Sequence, residues 1–536
     1  MRLRWTNPIA WTAGVITLAA WLIRLPLLRI RYFDPDEFQH THNAWSIALG
    51  QVPFRDFVDH HTPLFHYFLA AFFRFHDVAS SAGEGEAMLF LARRVMWLLS
   101  AVIVVLTFDL ARRWRGAEVA WVATALLSTT IMFVNKTLEI RPDLLTMIFW
   151  LGSLILILEG TRSDGRTPRR DMLLFAVSGA SIALGLFSSQ KLLFAGPSLA
   201  ATMAWYVLDG TASTSLRRRL TLAAAQIAGF AIVIALGFGY FASQHTLSQF
   251  LHYNIGANIG LADRFSPLSR IRILLRQNPY LVALGAAALL MQLPRLAGSR
   301  RMSTATAIIV LNTIGLAIGL FLNPVPYEQS FLTLLPLLAL LAADFLVVTT
   351  SADRRTAIGR LGLAAVLAVW CTRYSLPVMA HFGWLVPLTA VAGLGAYVVF
   401  YLKAMAEPAV AAMVAFLGVY PLAELRSELR ATNSAQLQAI RAVYAHSTPT
   451  DTFLDGFTGY GVFRPHASRF WFLHREMQAM MTPAEREMIL RDMESGLMSP
   501  RMIGFDRSLR SLSPELNQYI ATHYDSLGVG PLFIRK

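Results

Sequence analysis

The sequence predicts an α-helical polytopic membrane protein of about thirteen spans, with a small external α/β domain at its C-terminal end. Three features of the 536 residues predict it. Hydrophobic residues make up 55% of the chain and charged ones only 15%, with a mean hydropathy of +0.48, whereas soluble domains carry roughly 25% charged residues. The apolar residues fall in long runs, each near the ~20 residues that cross a ~30 Å hydrocarbon layer as a helix. Hydropathy then falls from about Glu424 onward, where apolar triplets such as Thr452-Phe453-Leu454 and Phe470-Trp471-Phe472 alternate with helical patterns. Those triplets read as short strands between helices.

The first run, 9–30, follows the basic start Met1-Arg2-Leu3-Arg4. That start looks like a signal peptide's n-region, but no small-residue cleavage site precedes the next polar loop, so the run is expected to stay as the first helix. Further spans are expected at 93–111, 117–134, 143–159, 172–187, 192–208, 220–242, 279–294, 304–322, 330–349, 361–378, 383–402 and 408–424. This divides the chain into a membrane domain, 1–424, and a soluble domain, 425–536. Between the first two spans lies a long loop whose stretch 65–75 is amphipathic and fits an interfacial helix. No internal repeat of the kind that marks paired transporter halves is visible.

Basic residues set the orientation. With the N-terminus inside, the cytoplasmic loops hold Arg112, Arg113, Arg115, Arg162, Arg166, Arg169, Arg170, Arg217 to Arg219, Arg295, Arg300, Arg301, Arg354, Arg355, Arg360 and Lys403. The short loops on the other side hold Lys136, Arg141, Lys191 and Arg373. This is the positive-inside pattern, and it accounts for the net charge of +14 without a nucleic-acid partner. The single cysteine, Cys371, lies in an apolar run, so no intrachain disulfide supports the external domain.

Polar groups of unusual kind gather on the outer side. The first outer loop contains Asp34-Pro35-Asp36-Glu37 and Asp59-His60-His61-Thr62-Pro63. Carboxylates and imidazoles beside a bilayer are costly unless a cavity solvates them, which marks this loop for chemistry. Asp36 and Glu37 fit general-base work on an acceptor hydroxyl. The alternative is that they sit in the first turn of a helix capped by Asp34, where acids are favoured. Asp143, in Arg141-Pro142-Asp143, begins the fourth span at the same face, although Pro followed by an acid is also an ordinary helix start. Lys191 is the one basic residue between two apolar runs there, fitted either to grip a phosphate or to snorkel to headgroups. The same two readings apply to Arg270, Arg272 and Arg276 in the second long outer loop. His40, His42, His60, His61 and His66 raise the prospect of a divalent metal. None has zinc-motif spacing, His40 and His42 face different directions on a helix, and adjacent His60 and His61 are not expected to converge on one ion. No cofactor is therefore expected, with a divalent ion as the alternative.

The order of these features resembles the GT-C superfamily of polytopic glycosyltransferases, specifically the protein O-mannosyltransferase and aminoarabinose-transferase type. The matching residues are Asp36-Glu37, Gly50-Gln51-Val52-Pro53, Thr62-Pro63-Leu64, Arg141-Pro142-Asp143, Lys191 followed by Pro197, and Tyr327-Glu328-Gln329 leading to Leu334-Leu335-Pro336. Together they cover about residues 30 to 345. One departure stands out: the aminoarabinose transferases have a lysine before the proline of the first loop, where this chain has His60, His61 and Thr62. The resemblance implies a polyprenyl-phosphate sugar donor and an envelope lipid, glycan or protein acceptor, handled at the periplasmic face of a bacterial inner membrane. It also implies catalysis by Asp36, Glu37 and Asp143, donor-phosphate binding by Lys191, Arg270, Arg272 and Arg276, and an acceptor cavity with His60, His61, Tyr327 and Glu328. The lack of a Gly-rich phosphate loop agrees with a lipid-linked rather than a nucleotide donor. A flippase for a lipid-linked glycan is the competing reading, although its ionisable groups would be expected near the bilayer midplane rather than at one face.

Overall fold

The computed structural model describes residues 7–162, 167–208, 214–257, 266–296, 302–323, 327–350 and 431–536, with a few isolated positions between 356 and 414. Among the described residues, eight helices are long and apolar enough to cross a membrane: Pro8–Ile30, Ala82–Arg115, Asp143–Gly160, Pro168–Ser188, Gln190–Leu208, Leu216–Ser243, Thr304–Leu322 and Glu328–Thr349. Each corresponds to an expected span. The spans expected at 361–378, 383–402 and 408–424, and the domain junction at 424, lie outside the described residues.

One expectation is corrected, and one expected span proves to be half of a bent pair. The run 117–134 is not one helix but Ala117–Ser128 followed by Ile131–Lys136, and the first piece, 12 residues long, rises only ~18 Å. The break falls at two threonines whose hydroxyls turn back onto the carbonyls of Ala125 and Leu126, both at 2.8 Å, local bonds that compete with regular helix. The run 279–294 belongs to a bent pair, Ser269–Leu275 with Pro279–Pro294, at 107°.

Helices Pro168–Ser188 and Leu216–Ser243 pack backbone against backbone. A Cβ placed on Gly179 would stand 1.9 Å from the Gln226 carbonyl oxygen, and one on Gly229 would stand 1.9 Å from that of Ala176. Small residues at such crossings permit the close approach that drives helix association in lipid. Beside them Gln226 Nε2 donates to Ser178 Oγ at 3.2 Å, and Ser178 Oγ lies 3.0 Å from Ser153 Oγ. Gly229→Ala is therefore expected to cost about 1–3 kcal/mol by forcing the helices apart, read as a lowered Tm in detergent. Gly239→Ala on the same helix meets nothing within 4 Å and is expected to leave Tm unchanged.

The first loop folds as the sequence requires. Asp34 caps the helix Pro35–Ala48 by accepting from Asp36 N, and Glu37 reaches back to the Asp34 N–H at 2.9 Å, completing a capping box. Leu64–Ala70 and the turn Phe73–Phe75 follow, in the stretch expected to be interfacial.

The C-terminal part contains the helices Ser434–His446, Pro483–Glu494 and Pro514–His523 and a four-stranded sheet, β1 Phe453–Asp455, β2 Met502–Gly504, β3 Tyr524–Ser526 and β4 Leu532–Arg535, in the order β1-β2-β4-β3. β1 and β2 are parallel and the other pairs antiparallel. The strand at 453 is present, but 470–472 contributes only a single bridge, Asp455 to Phe472. There the chain leaves the sheet because Trp471 turns to stack on His42 (3.7 Å between centroids) and to donate to Asn43 Oδ1 at 3.2 Å. Phe470, Trp471 and Phe472 are all buried, so they serve the core.

Loop and domain are joined along their length. Gln436 accepts from Phe33 N at 2.7 Å and donates to Phe33 O at 2.8 Å. His42 Nδ1 donates to the Val462 carbonyl at 2.9 Å. Gly459, at φ 72°, brings its backbone so close to Phe38 that a Cβ would stand 2.4 Å from the Phe38 Cβ, so only glycine fits there.

Candidate active-site cavity

A cavity of ≈ 720 Å³ opens between the end of the helical bundle and the C-terminal domain. Its walls include Asp34 and Asp36 at the first-loop helix start, His60 and His61 from the same loop, Lys136 and Arg141 before the span Asp143–Gly160, Gln190 and Lys191 on the turn before Gly196–Leu208, and Tyr327 and Glu328 before Glu328–Thr349. Phe457, His474 and Glu476 of the C-terminal domain close it.

Arg141 organises the acidic wall. Its Nη2 lies 3.1 Å from Asp36 Oδ2 and 3.5 Å from Asp34 Oδ1, while its Nε pairs with Glu139. Glu139 is buried and is also gripped by Arg31 and Lys136, each at 3.1 Å, so the arginine is anchored from behind. Burial raises the cost of charging Asp36, but the Arg141 guanidinium beside it outweighs that and holds the carboxyl below its usual range. Burial dominates at Asp34 and pushes it up to about 6, Arg141 notwithstanding. Two acids on one arginine thus differ: Asp36 is an anion at neutral pH, and Asp34 titrates just below it.

A second ion pair stands elsewhere along the cavity. Lys191 Nζ lies 3.0 Å from Asp143 Oδ1, and both also line a small recess beside the main cavity. The lysine is placed by a helix break: Ser189 is extended, and Gln190–Ala195 forms a 3-10 turn. Gln190 Nε2 donates to the His60 carbonyl at 2.6 Å, and Thr62 Oγ1 donates to the Leu186 carbonyl at 3.0 Å. The histidine loop and the lysine turn are therefore fixed to one another.

Several sequence-predicted residues meet here, and others do not. Asp36, His60, His61, Lys191, Tyr327 and Glu328 line the cavity, and Asp143 lines the adjoining recess. Glu37 is instead fully buried behind it, with Oε2 and Oε1 on Arg93 at 2.8 and 2.7 Å and Oε2 also accepting from Ile140 N at 3.2 Å. Its carboxylate is used up by the architecture. Arg270 is buried and donates to the carbonyls of Leu320, at 3.4 Å, and Phe321, acceptors left over at the C-terminus of Thr304–Leu322. Arg272 is exposed and lines neither space, and the Arg276 side chain lies outside the described residues. His60 and His61, not expected to converge, both aim Nδ1 at Asp59 Oδ1, at 3.5 and 3.0 Å. Burial drives His60 well below its ordinary value and His61 to about 3, so both are neutral.

Sequence reasoning did not single out Arg141, Lys136, His474 or Glu476 as site residues. Arg141 stood in the Arg-Pro-Asp step that located Asp143. His474 and Glu476 carried no signal, because only folding brings the tail to the first loop. Tyr327 Oη donates to Glu476 Oε1 at 2.7 Å, tying the bundle to the domain across the mouth.

Comparison with known proteins agrees with this architecture. Residues 60–237 match the family model described as dolichyl-phosphate-mannose-protein mannosyltransferase. A search of curated protein sequences returns no match. The chain is similar in structure to ArnT from Cupriavidus metallidurans, both apo (TM-score 0.65, 15% identity) and bound to undecaprenyl phosphate (TM-score 0.63, 14% identity), each over 97% of this chain and 96% of that one. It is also similar to the archaeal oligosaccharyltransferase AglB from Archaeoglobus fulgidus in complex with an inhibitory peptide and a dolichol-phosphate, with a TM-score of 0.50, 14% identity and coverage of 92% of this chain and 69% of that one. Over nearly its whole length the chain therefore has the fold of ArnT, and residues 60–237 within it match the mannosyltransferase family model.

Proposed function

We propose that this protein is a membrane glycosyltransferase that takes a sugar from a polyprenyl-phosphate carrier and transfers it, with inversion, to an envelope lipid, glycan or protein acceptor at the periplasmic face of a bacterial inner membrane. The observation that carries the reading is the single cavity in which an ionised Asp36, held by Arg141, faces a space also lined by Lys191. Undecaprenyl phosphate on ArnT and dolichol-phosphate on AglB support a polyprenyl-phosphate ligand here.

In the reaction Asp36 accepts the proton of the acceptor hydroxyl as its oxygen attacks the anomeric carbon. The bond from that carbon to the phosphate oxygen breaks, and the carrier phosphate leaves with the electron pair. Lys191 stabilises the charge that accumulates on it. Leu193, Phe194, Ile273 and Leu322 on the cavity wall offer the apolar surface a prenyl chain needs, and His474 with Glu476 adds polar groups from the C-terminal domain.

The test is transfer of label from a panel of radiolabelled polyprenyl-phosphate sugars in proteoliposomes. Label reaching an acceptor supports the reading, and movement of intact carrier without transfer overturns it. In the same assay Lys191→Gln is expected to raise the KM for donor by about ten- to a hundredfold, the loss of one charge-assisted hydrogen bond. An unchanged donor dependence would remove Lys191 from the phosphate role.

A further inference from the structure

We propose that Asp59, His60 and His61 bind one divalent transition-metal ion at the wall of the cavity. The three residues each offer a ligand atom, and all three atoms lie within 4.8 Å of one another. Around zinc, bonds of about 2.0–2.2 Å at tetrahedral angles put neighbouring ligand atoms roughly 3.3–3.6 Å apart. The observed Nδ1 to Oδ1 separations are 3.0 Å for His61, just under that edge, and 3.5 Å for His60, within it, and with the third pair inside 4.8 Å an ion enters as the imidazoles turn toward it.

Asp59 is already oriented for the task. Gln39 Nε2 donates to its Oδ1 at 3.2 Å and Asn43 Nδ2 to its Oδ2 at 2.8 Å, the kind of outer support that fixes a ligating carboxylate. The loop backbone is held by the bond from Gln190 to the His60 carbonyl. Close by, His40 Nε2 is buried without a hydrogen-bond partner, as is expected of a polar pocket built for more than its own side chains. Two imidazoles and a carboxylate suit zinc, cobalt or nickel rather than magnesium or calcium, which prefer all-oxygen shells.

Because His60 and His61 both line the cavity, the remaining coordination position faces the space that Asp36 and Lys191 share. An ion there adds positive charge to the wall that would meet an anionic ligand. This consequence rests on the transferase reading, but ion binding itself does not, and the two fail separately.

Full-length protein without a histidine tag, stripped with chelator in detergent, is titrated with Zn²⁺ by calorimetry and with Co²⁺ by visible absorption. One ion per chain is expected, with the intense ligand-field bands of low-coordinate cobalt and a raised Tm at saturation. His60→Gln and His61→Gln are each expected to weaken binding at least tenfold, with a metal-free Tm near that of the native chain. His252→Gln, on the second long loop, is expected to bind as the native chain does. No binding by the native protein, or equal binding by His60→Gln and His61→Gln, overturns the proposal.

Discussion

Asp36→Asn is expected to slow transfer by about 10²–10⁴-fold, the contribution of a positioned general base, while the purified protein keeps its native elution and Tm. The substitution conserves shape and removes only the charge. Asp36 is partly open to the cavity, so the uncharged amide is not stranded in a dry interior. The capping box is unaffected, since the capping groups are Asp34 and Glu37. The arginine keeps Glu139 and Asp34 as partners. Transfer at the native rate by Asp36→Asn would dismiss the carboxylate as the base and direct attention to His61, whose imidazole lines the same cavity.

The second large effect is on stability. Arg93→Ala is expected to lower folding free energy by about 3–5 kcal/mol, the cost of leaving one partner of a buried ion pair behind. Arg93 and Glu37 are both inaccessible and joined by two bonds. The guanidinium also donates to the carbonyls of Arg31 and Tyr32, at 2.8 and 2.9 Å, and lies 3.7 Å from the Phe33 ring centroid. One side chain thus fixes the segment that aims Asp34 and Asp36. Loss of Arg93 should appear as a drop in Tm together with loss of activity, whereas Asp36→Asn loses activity alone. The contrast separates two neighbouring acids: a native Tm in Arg93→Ala would show that Glu37 is not held as an architectural anion.

The contrast also shows what was legible in the sequence. Hydropathy located eight describable spans because lipid imposes one requirement on every residue of a crossing helix. It failed at 117–134, where composition is apolar enough but two threonines redirect the chain. The acidic loop and Lys191 were legible because charge beside a bilayer is rare. The roles inside the loop were less so: Asp36 and Glu37 are neighbours in sequence, and a helix turn of about 100° per residue sends one to the cavity and the other to Arg93. The approach of His60 and His61 to Asp59 was not legible for a related reason. Two adjacent imidazoles point apart on a helix or strand, but residues 59–61 lie in neither, so Asp59 can gather both. Nothing in residues 474–476 announced a part in the site.

The hydrogen bonds between Phe33 and Gln436 join positions 403 residues apart, and the cavity is finished by Phe457, His474 and Glu476. Almost the entire chain must leave the ribosome before the last wall arrives. A nascent or truncated product therefore has Asp36 and Lys191 in the membrane with no roof above them, exposed to bulk water. Under the proposed function, competence for chemistry is acquired late in biogenesis, when the C-terminal residues close the cavity.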